Sequence, residues 1–275
     1  MALYYYGVVV MPISLTCVIL TIAAYLYVKE LRNTLGKCLI SCLFNIFLWQ
    51  SLGLVQMWFS VPGSVKEVSF IFFFAHNLWL SVISYHLWRT FKSVNGEEPR
   101  FLFLTYNVYV WFPTTILPGA AALIYILDQP TNTVNMFLLF AFLTLLISNF
   151  FNLTMIILTI THILKLKRQT MKFGQREGEI TTSINLDSET HSYLYWLRIL
   201  FVVVLPWSPW IGYFQNDMKL KHLVFDVNDF ICWGYGFWHF ILLILNRSTL
   251  RLLMDRFLES PKQQCVRAQR VKNPA

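Results

Sequence analysis

The sequence predicts an all-α membrane protein, a seven-transmembrane helix bundle with its N-terminus outside and its C-terminus inside. Three observations carry that reading. Hydrophobic residues make up 56% of the 275 and charged residues only 13%, with a mean hydropathy of +0.53, a balance foreign to soluble domains. Seven apolar runs divide the chain, and a helix needs about 20 such residues to cross about 30 Å of hydrocarbon. The basic residues then sort onto alternate gaps: 19 of the 22 Lys and Arg fall on one side, and only Lys66, Lys219 and Lys221 on the other. An excess of Lys and Arg marks cytoplasmic loops, which orients the chain.

The expected spans are about 4–28, 37–60, 68–91, 101–127, 136–164, 192–214 and 223–246, so residues 1–246 form a single seven-transmembrane domain. Helices are the only open-chain form whose backbone is satisfied within lipid. The first run has no basic residue before it and Lys29, Arg32 and Lys37 after it. It is too long for a cleaved signal peptide and suits a first helix inserted N-end out. Met1 to Gly7 leaves no room for a globular ectodomain. Only Lys66 follows span two, whereas Arg89, Lys92 and Arg100 follow span three. Pro12 in span one and Pro113 and Pro118 in span four predict bends. The gap from Asp128 to Asn135 carries no basic residue.

Span five leads into the only long hydrophilic stretch, Lys165 to His191, expected to extend the helix and then become a mobile segment. Span six is the shortest, and Pro206 and Pro209 should kink it. After span seven, Leu250, Leu253, Met254, Phe257 and Leu258 recur at helical spacing, interleaved with Arg247, Arg251, Asp255 and Arg256. Residues 247–260 therefore read as an amphipathic helix on the inner membrane surface, ended by Pro261, with 261–275 a cytoplasmic tail.

Several function classes fall away. The net charge of +8 borders hydrophobic spans, so it reads as topology and contact with anionic membrane lipids, and no nucleic-acid partner is expected. His76, His86, His162, His191, His222 and His239 have no metal-ligand spacing in sequence, and no nucleophile elbow or phosphate loop is present. No enzyme, metal site or cofactor is expected. Of the five cysteines, Cys17, Cys38, Cys42 and Cys232 fall in spans and Cys265 in the tail, so none is placed for an extracellular disulfide. Cys265 follows the amphipathic helix, where palmitoylation is common. The sequons at Asn152 and Asn246 lie in a span and on the cytoplasmic side, out of reach of glycosylation.

Polar residues inside spans are costly, which makes each a functional candidate. Span three holds His76, Asn77, Ser81, Ser84 and His86; span two holds Asn45, and span five Asn149 and Asn152. The alternative reading is that they join helices by hydrogen bonds averaging about 0.6 kcal/mol. Asp226 and Asp229, at the outer end of span seven, either meet a cationic ligand or pair with Lys219 or Lys221. Arg89 ends span three, and two readings stay open: snorkelling to phosphates, or holding the cytoplasmic ends of spans three and six together. Aromatic residues at span ends, including Tyr4, Tyr5, Tyr6, Trp88, Trp207 and Trp210, read as interfacial anchors.

Certain segments are similar to one family. Leu31-Arg32-Asn33-Thr34-Leu35-Gly36-Lys37-Cys38-Leu39 resembles the first inner loop of the Methuselah-like receptors, an insect branch of the secretin/adhesion-type seven-transmembrane receptors. Trp79 to Phe91 resembles the family's third span, and Arg100 to Phe103 with Tyr109-Val110-Trp111 resembles the start of its fourth. Asn246 to Leu253 resembles the exit from its seventh. There are departures: Leu35 stands where the family has His, His86 where it has an acid, Arg89 where it has Trp, and Tyr235-Gly236 where it has Gln-Gly. Trp111-Phe112-Pro113 is one residue shorter than the usual motif. Residues 128–135 lack the cysteine of the family's outer disulfide, and the family's cysteine-rich ectodomain is expected to be missing.

The resemblance implies a receptor in the plasma membrane that passes a conformational change to a heterotrimeric G protein. A ligand of unknown identity would enter the bundle near His76, Asn77 and Asp229. Coupling would involve His86, Arg89, Lys165, Lys167, Arg168 and Arg198 at the inner ends of spans three, five and six. Receptor oligomers are compatible with this reading. One alternative is a degenerate receptor that does not signal and serves full-length relatives as a partner or trafficking subunit. Another is an insect chemoreceptor-type ion channel, whose N-terminus would lie inside, against the charge pattern.

Overall fold

A computed structural model describes residues 2–59, 63–92, 99–127, 130–174, 230–245 and 247–258. Expected span six, the start of span seven, Arg198, Asp226, Asp229 and Cys265 lie outside the described residues. All regular structure among the described residues is helical. Five long helices come first: α1 (Ala2–Tyr27), α2 (Thr34–Trp58), α3 (Gly63–Lys92), α4 (Leu102–Leu127) and α5 (Pro130–Gly174). Shorter helices follow at Tyr235–Leu243 and Arg247–Leu258. Within these, Gly7–Tyr27, Thr34–Trp58, Val68–Thr90 and Leu143–His162 are long and apolar enough to cross a membrane.

Local chemistry explains the tight connection between α1 and α2. A single 3-10 turn, Lys29–Leu31, follows α1. Asn33 then caps α2, its side-chain oxygen accepting from the Gly36 N–H at 2.8 Å and satisfying one of the orphan amides of a helix start. Gly36 has no room for a side chain, because a Cβ there would meet the Leu31 carbonyl. The helical backbone of α1 runs through Pro12, and that of α4 through Pro113 and Pro118. Beyond its apolar run α5 continues through Lys165 and Arg168 to Gly174.

The third helix is the centre of the bundle. It packs on α2, α5 and α4, while α1 lies outside, against α2 and the Tyr235–Leu243 helix. Accordingly an 18-residue apolar stretch within Val68–Thr90 is 67% buried, against 28% for one within Gly7–Tyr27. Trp79, Leu80, Ile83 and Leu87 of α3 meet Leu39 and Cys42 of α2, Tyr106 and Val110 of α4, and Leu145 and Ile156 of α5 in one core. The outward faces are apolar too: Ile13, Leu20, Phe44, Phe112, Ile147 and Phe150 are exposed. Water would not tolerate such a surface, whereas lipid tails are as apolar as these side chains.

Candidate functional site

Two polar clusters lie inside this apolar bundle. The first is built on an interruption in the seventh apolar run. Residues on either side of Gly234 are helical, and Gly234 itself, with φ −86° and ψ 4°, makes a turn. A helix opened inside a bilayer leaves backbone groups that lipid cannot satisfy. Side chains of α1 and α2 take them. The Gly236 N–H donates to Ser14 Oγ at 2.8 Å, and the Ser14 hydroxyl donates to Gln50 Oε1 at 3.1 Å. Gln50 Nε2 in turn donates to the carbonyls of Cys232 (3.2 Å) and Trp233 (3.0 Å). Every polar atom of Ser14 and Gln50 side chains is used, so the ring is closed. Gly236 is what admits α1: a Cβ there would collide with the Ser14 carbonyl and Val18 Cγ2.

The second cluster joins α2, α3 and the Tyr235–Leu243 helix. Cys42 Sγ lies 3.1 Å from His76 Nδ1. His239 Nδ1 bonds to the carbonyl of Tyr235 at 2.6 Å. The His76 ring centroid is 5.9 Å from that of Tyr235 and 6.4 Å from that of His239. Cys42, His76, Tyr235 and His239 are all 0–1% exposed. Unlike the first cluster this one is open, because Nε2 of both His76 and His239 is buried without a partner among the described residues.

Elsewhere the polar residues singled out in the spans divide by partner. Asn45, Asn77 and Ser84 bond to carbonyls four residues earlier in their own helices, the local back-bonding common for short polar side chains. Ser81 Oγ reaches Ser148 Oγ at 2.6 Å and so ties α3 to α5. Asn149 Nδ2 and Asn152 Oδ1 are buried without a partner among the described residues. His86, 3% exposed, turns inward to the Tyr106 hydroxyl of α4 at 3.3 Å. Lys92 lies over the Trp88 ring at 4.8 Å from its centroid. Lys165 and Arg168 are exposed on the extension of α5. The structure therefore brings His76 against His239 and separates it from His86. Glu30, after α1, accepts from Arg256 Nη2 at 2.8 Å, which docks the Arg247–Leu258 helix beside the α1–α2 connection.

No protein-family model matches the chain. Similarity to individual proteins is extensive. The chain is 36% identical over 274 residues to "G-protein coupled receptor Mth" of Drosophila melanogaster, covering 90% of this chain and 52% of that protein. The Mth receptor of Drosophila yakuba is similar to the same degree, 36% over 90% of this chain and 52% of its own length. "Probable G-protein coupled receptor Mth-like 7" of Drosophila melanogaster is 32% identical over 90% of this chain and 54% of its own length. The chain belongs to the Methuselah-like family. It spans about half the length of the relatives it matches. Family membership and the apolar helices together make it a multi-pass membrane protein.

Within this Methuselah-like bundle, two of the sequence departures acquire a place. Leu35 is buried in the α2–α3 core, and His86, standing for an acid, finds its partner in Tyr106. Ser14, Gln50, Cys42 and His239 escaped sequence reasoning as site residues. Gln50 carried a usable signal, a lone amide within an apolar run, by the cost rule that picked out Asn45.

Proposed function

We propose that the chain is the membrane-embedded half of a seven-transmembrane receptor of the plasma membrane, N-terminus outside, that couples to a heterotrimeric G protein. The observation that carries this reading is 36% identity, across 90% of the chain, to a protein named a G-protein coupled receptor. Seven apolar runs and the basic bias of alternate gaps support the topology, with the Arg247–Leu258 helix on the inner surface. The inner ends of α3 and α5 supply the coupling surface: Arg89, Lys165, Lys167 and Arg168, joined by Arg198. His86 supports that surface from within through Tyr106. A ligand would act from the outer side near Asp229, His76 and Asn77. His76 and Asn77 are 0% and 3% exposed, so a ligand reaching them must part the helices that cover them. Membrane lipids cover the outward apolar faces, and Cys265 is a candidate acylation site beyond the surface helix.

A second reading is a partner or trafficking subunit that does not signal. The inward-turned His86 and the apolar Leu35 favour it, since both replace polar residues that the family carries at the inner face. Purified chain in nanodiscs with a panel of heterotrimeric G proteins separates the two. Receptor function predicts accelerated nucleotide exchange on at least one of them, lost in an Arg89→Ala variant. Failure to alter exchange on any G protein, combined with co-purification of a full-length relative, would favour the subunit.

A further inference from the structure

The open cluster has a chemistry of its own. We propose that His76 and His239 together bind a single water molecule, which completes one directed hydrogen-bond chain across three helices. Burial is the first argument: two imidazole nitrogens, in rings 0% and 1% exposed, have no partner among the described residues, and buried polar groups that lack protein partners are ordinarily met by ordered water. Distance is the second. A direct N–H···N bond between two imidazoles brings their centroids to about 5 Å, whereas one bridging oxygen serves both rings out to about 8 Å. The observed 6.4 Å is too long for the first and inside the range of the second.

Hydrogen-bond polarity gives the third argument and fixes the His239 proton. A carbonyl only accepts, so the contact with the Tyr235 oxygen places the His239 proton on Nδ1 and leaves Nε2 a bare acceptor. At the other end Cys42 Sγ lies 3.1 Å from His76 Nδ1, a contact either group can donate; we assign the thiol as donor, which puts the His76 proton on Nε2. His76 Nε2–H then donates to the water oxygen, and a water hydrogen is donated to His239 Nε2. Both rings stay neutral, as a dry interior requires. Among the described residues no third His, Cys, Asp or Glu joins the rings in metal-ligand geometry, which favours a neutral ligand over a cation. The chain runs from α2 through α3 to the opened turn at Tyr235. A shift of the Tyr235–Leu243 helix against α3 must break it.

Nitrogen-15 NMR of the full chain in nanodiscs, labelled at histidine, tests this without reading any signalling, so its outcome is separable from the receptor proposal. The expected spectrum has a pyrrole-type Nε2 and pyridine-type Nδ1 at His76, the reverse at His239, and a water cross-peak at both rings. Variants His76→Phe and His239→Phe assign the signals. If either does not fold, two histidines of opposite tautomer sharing a slowly exchanging water in the unmodified chain carry the same information. Cys42→Ala should change the His76 tautomer, and Cys42→Ser, which keeps a donor, should restore it. The same tautomer at both rings, a charged imidazolium at either, or rings without water contact would overturn the proposal.

Discussion

The two interior clusters differ in completeness, although both rest on the same stretch of the seventh apolar run. The ring of Ser14, Gln50 and the Cys232–Gly236 backbone satisfies every side-chain atom it uses. The cluster of Cys42, His76 and His239 leaves two imidazole nitrogens without a partner among the described residues. The first replaces hydrogen bonds that the opened turn has released, so its work is structural: it holds α1 and α2 to the seventh-span helix. The second contributes less to the fold than its burial suggests, because its polar atoms are incompletely met by the described protein groups. Within a membrane, a closed network marks what keeps helices together and an open one marks where a small polar guest belongs.

Substitutions sharpen that contrast. Gly236→Val should be the most damaging, since any Cβ meets Ser14 and Val18; overpacking of about 3 kcal/mol or misassembly is expected, read as a lowered thermal midpoint in detergent. Gln50→Leu strands the two carbonyls and the Ser14 hydroxyl, at about 2 kcal/mol by the same measurement. The double variant His76→Phe/His239→Phe removes both ends of the open cluster and should cost less than about 1 kcal/mol, because replacing both polar partners together is nearly neutral. If the double variant proves more destabilising than Gln50→Leu, the contrast between the clusters is wrong. The smallest effect belongs to the surface pair: Glu30→Gln should shift stability by under about 1 kcal/mol, and the difference should vanish at high salt.

Much of this architecture was legible in the sequence. The apolar runs place α1 to α5, and the prolines of α1 and α4 did not hide them, because a proline inside a span costs one backbone bond rather than the helix. The α1–α2 connection was legible through Asn33 and Gly36, whose cap and close approach are local. Polar residues within spans pointed to His76, Asn77 and His86, but their partners were out of reach. Cys42 reads as one more apolar residue until α3 is set beside it. Ser14 and Gly236 look unremarkable apart, because their bond joins the first and seventh runs across most of the chain. His76 and His239 have no ligand spacing in sequence and become neighbours only through packing. Local chemistry is written in local sequence; pairings between distant helices are not.

Orientation underlies the whole receptor reading, since it assigns which ends of α3 and α5 face a G protein. Epitope tags at the two termini, probed with antibody in intact and permeabilised cells, test it most directly. The account predicts that the N-terminal tag is labelled in intact cells and the C-terminal tag only after permeabilisation. An N-terminal tag accessible only after permeabilisation would contradict it, and with it the assignment of the basic loops to the cytoplasm.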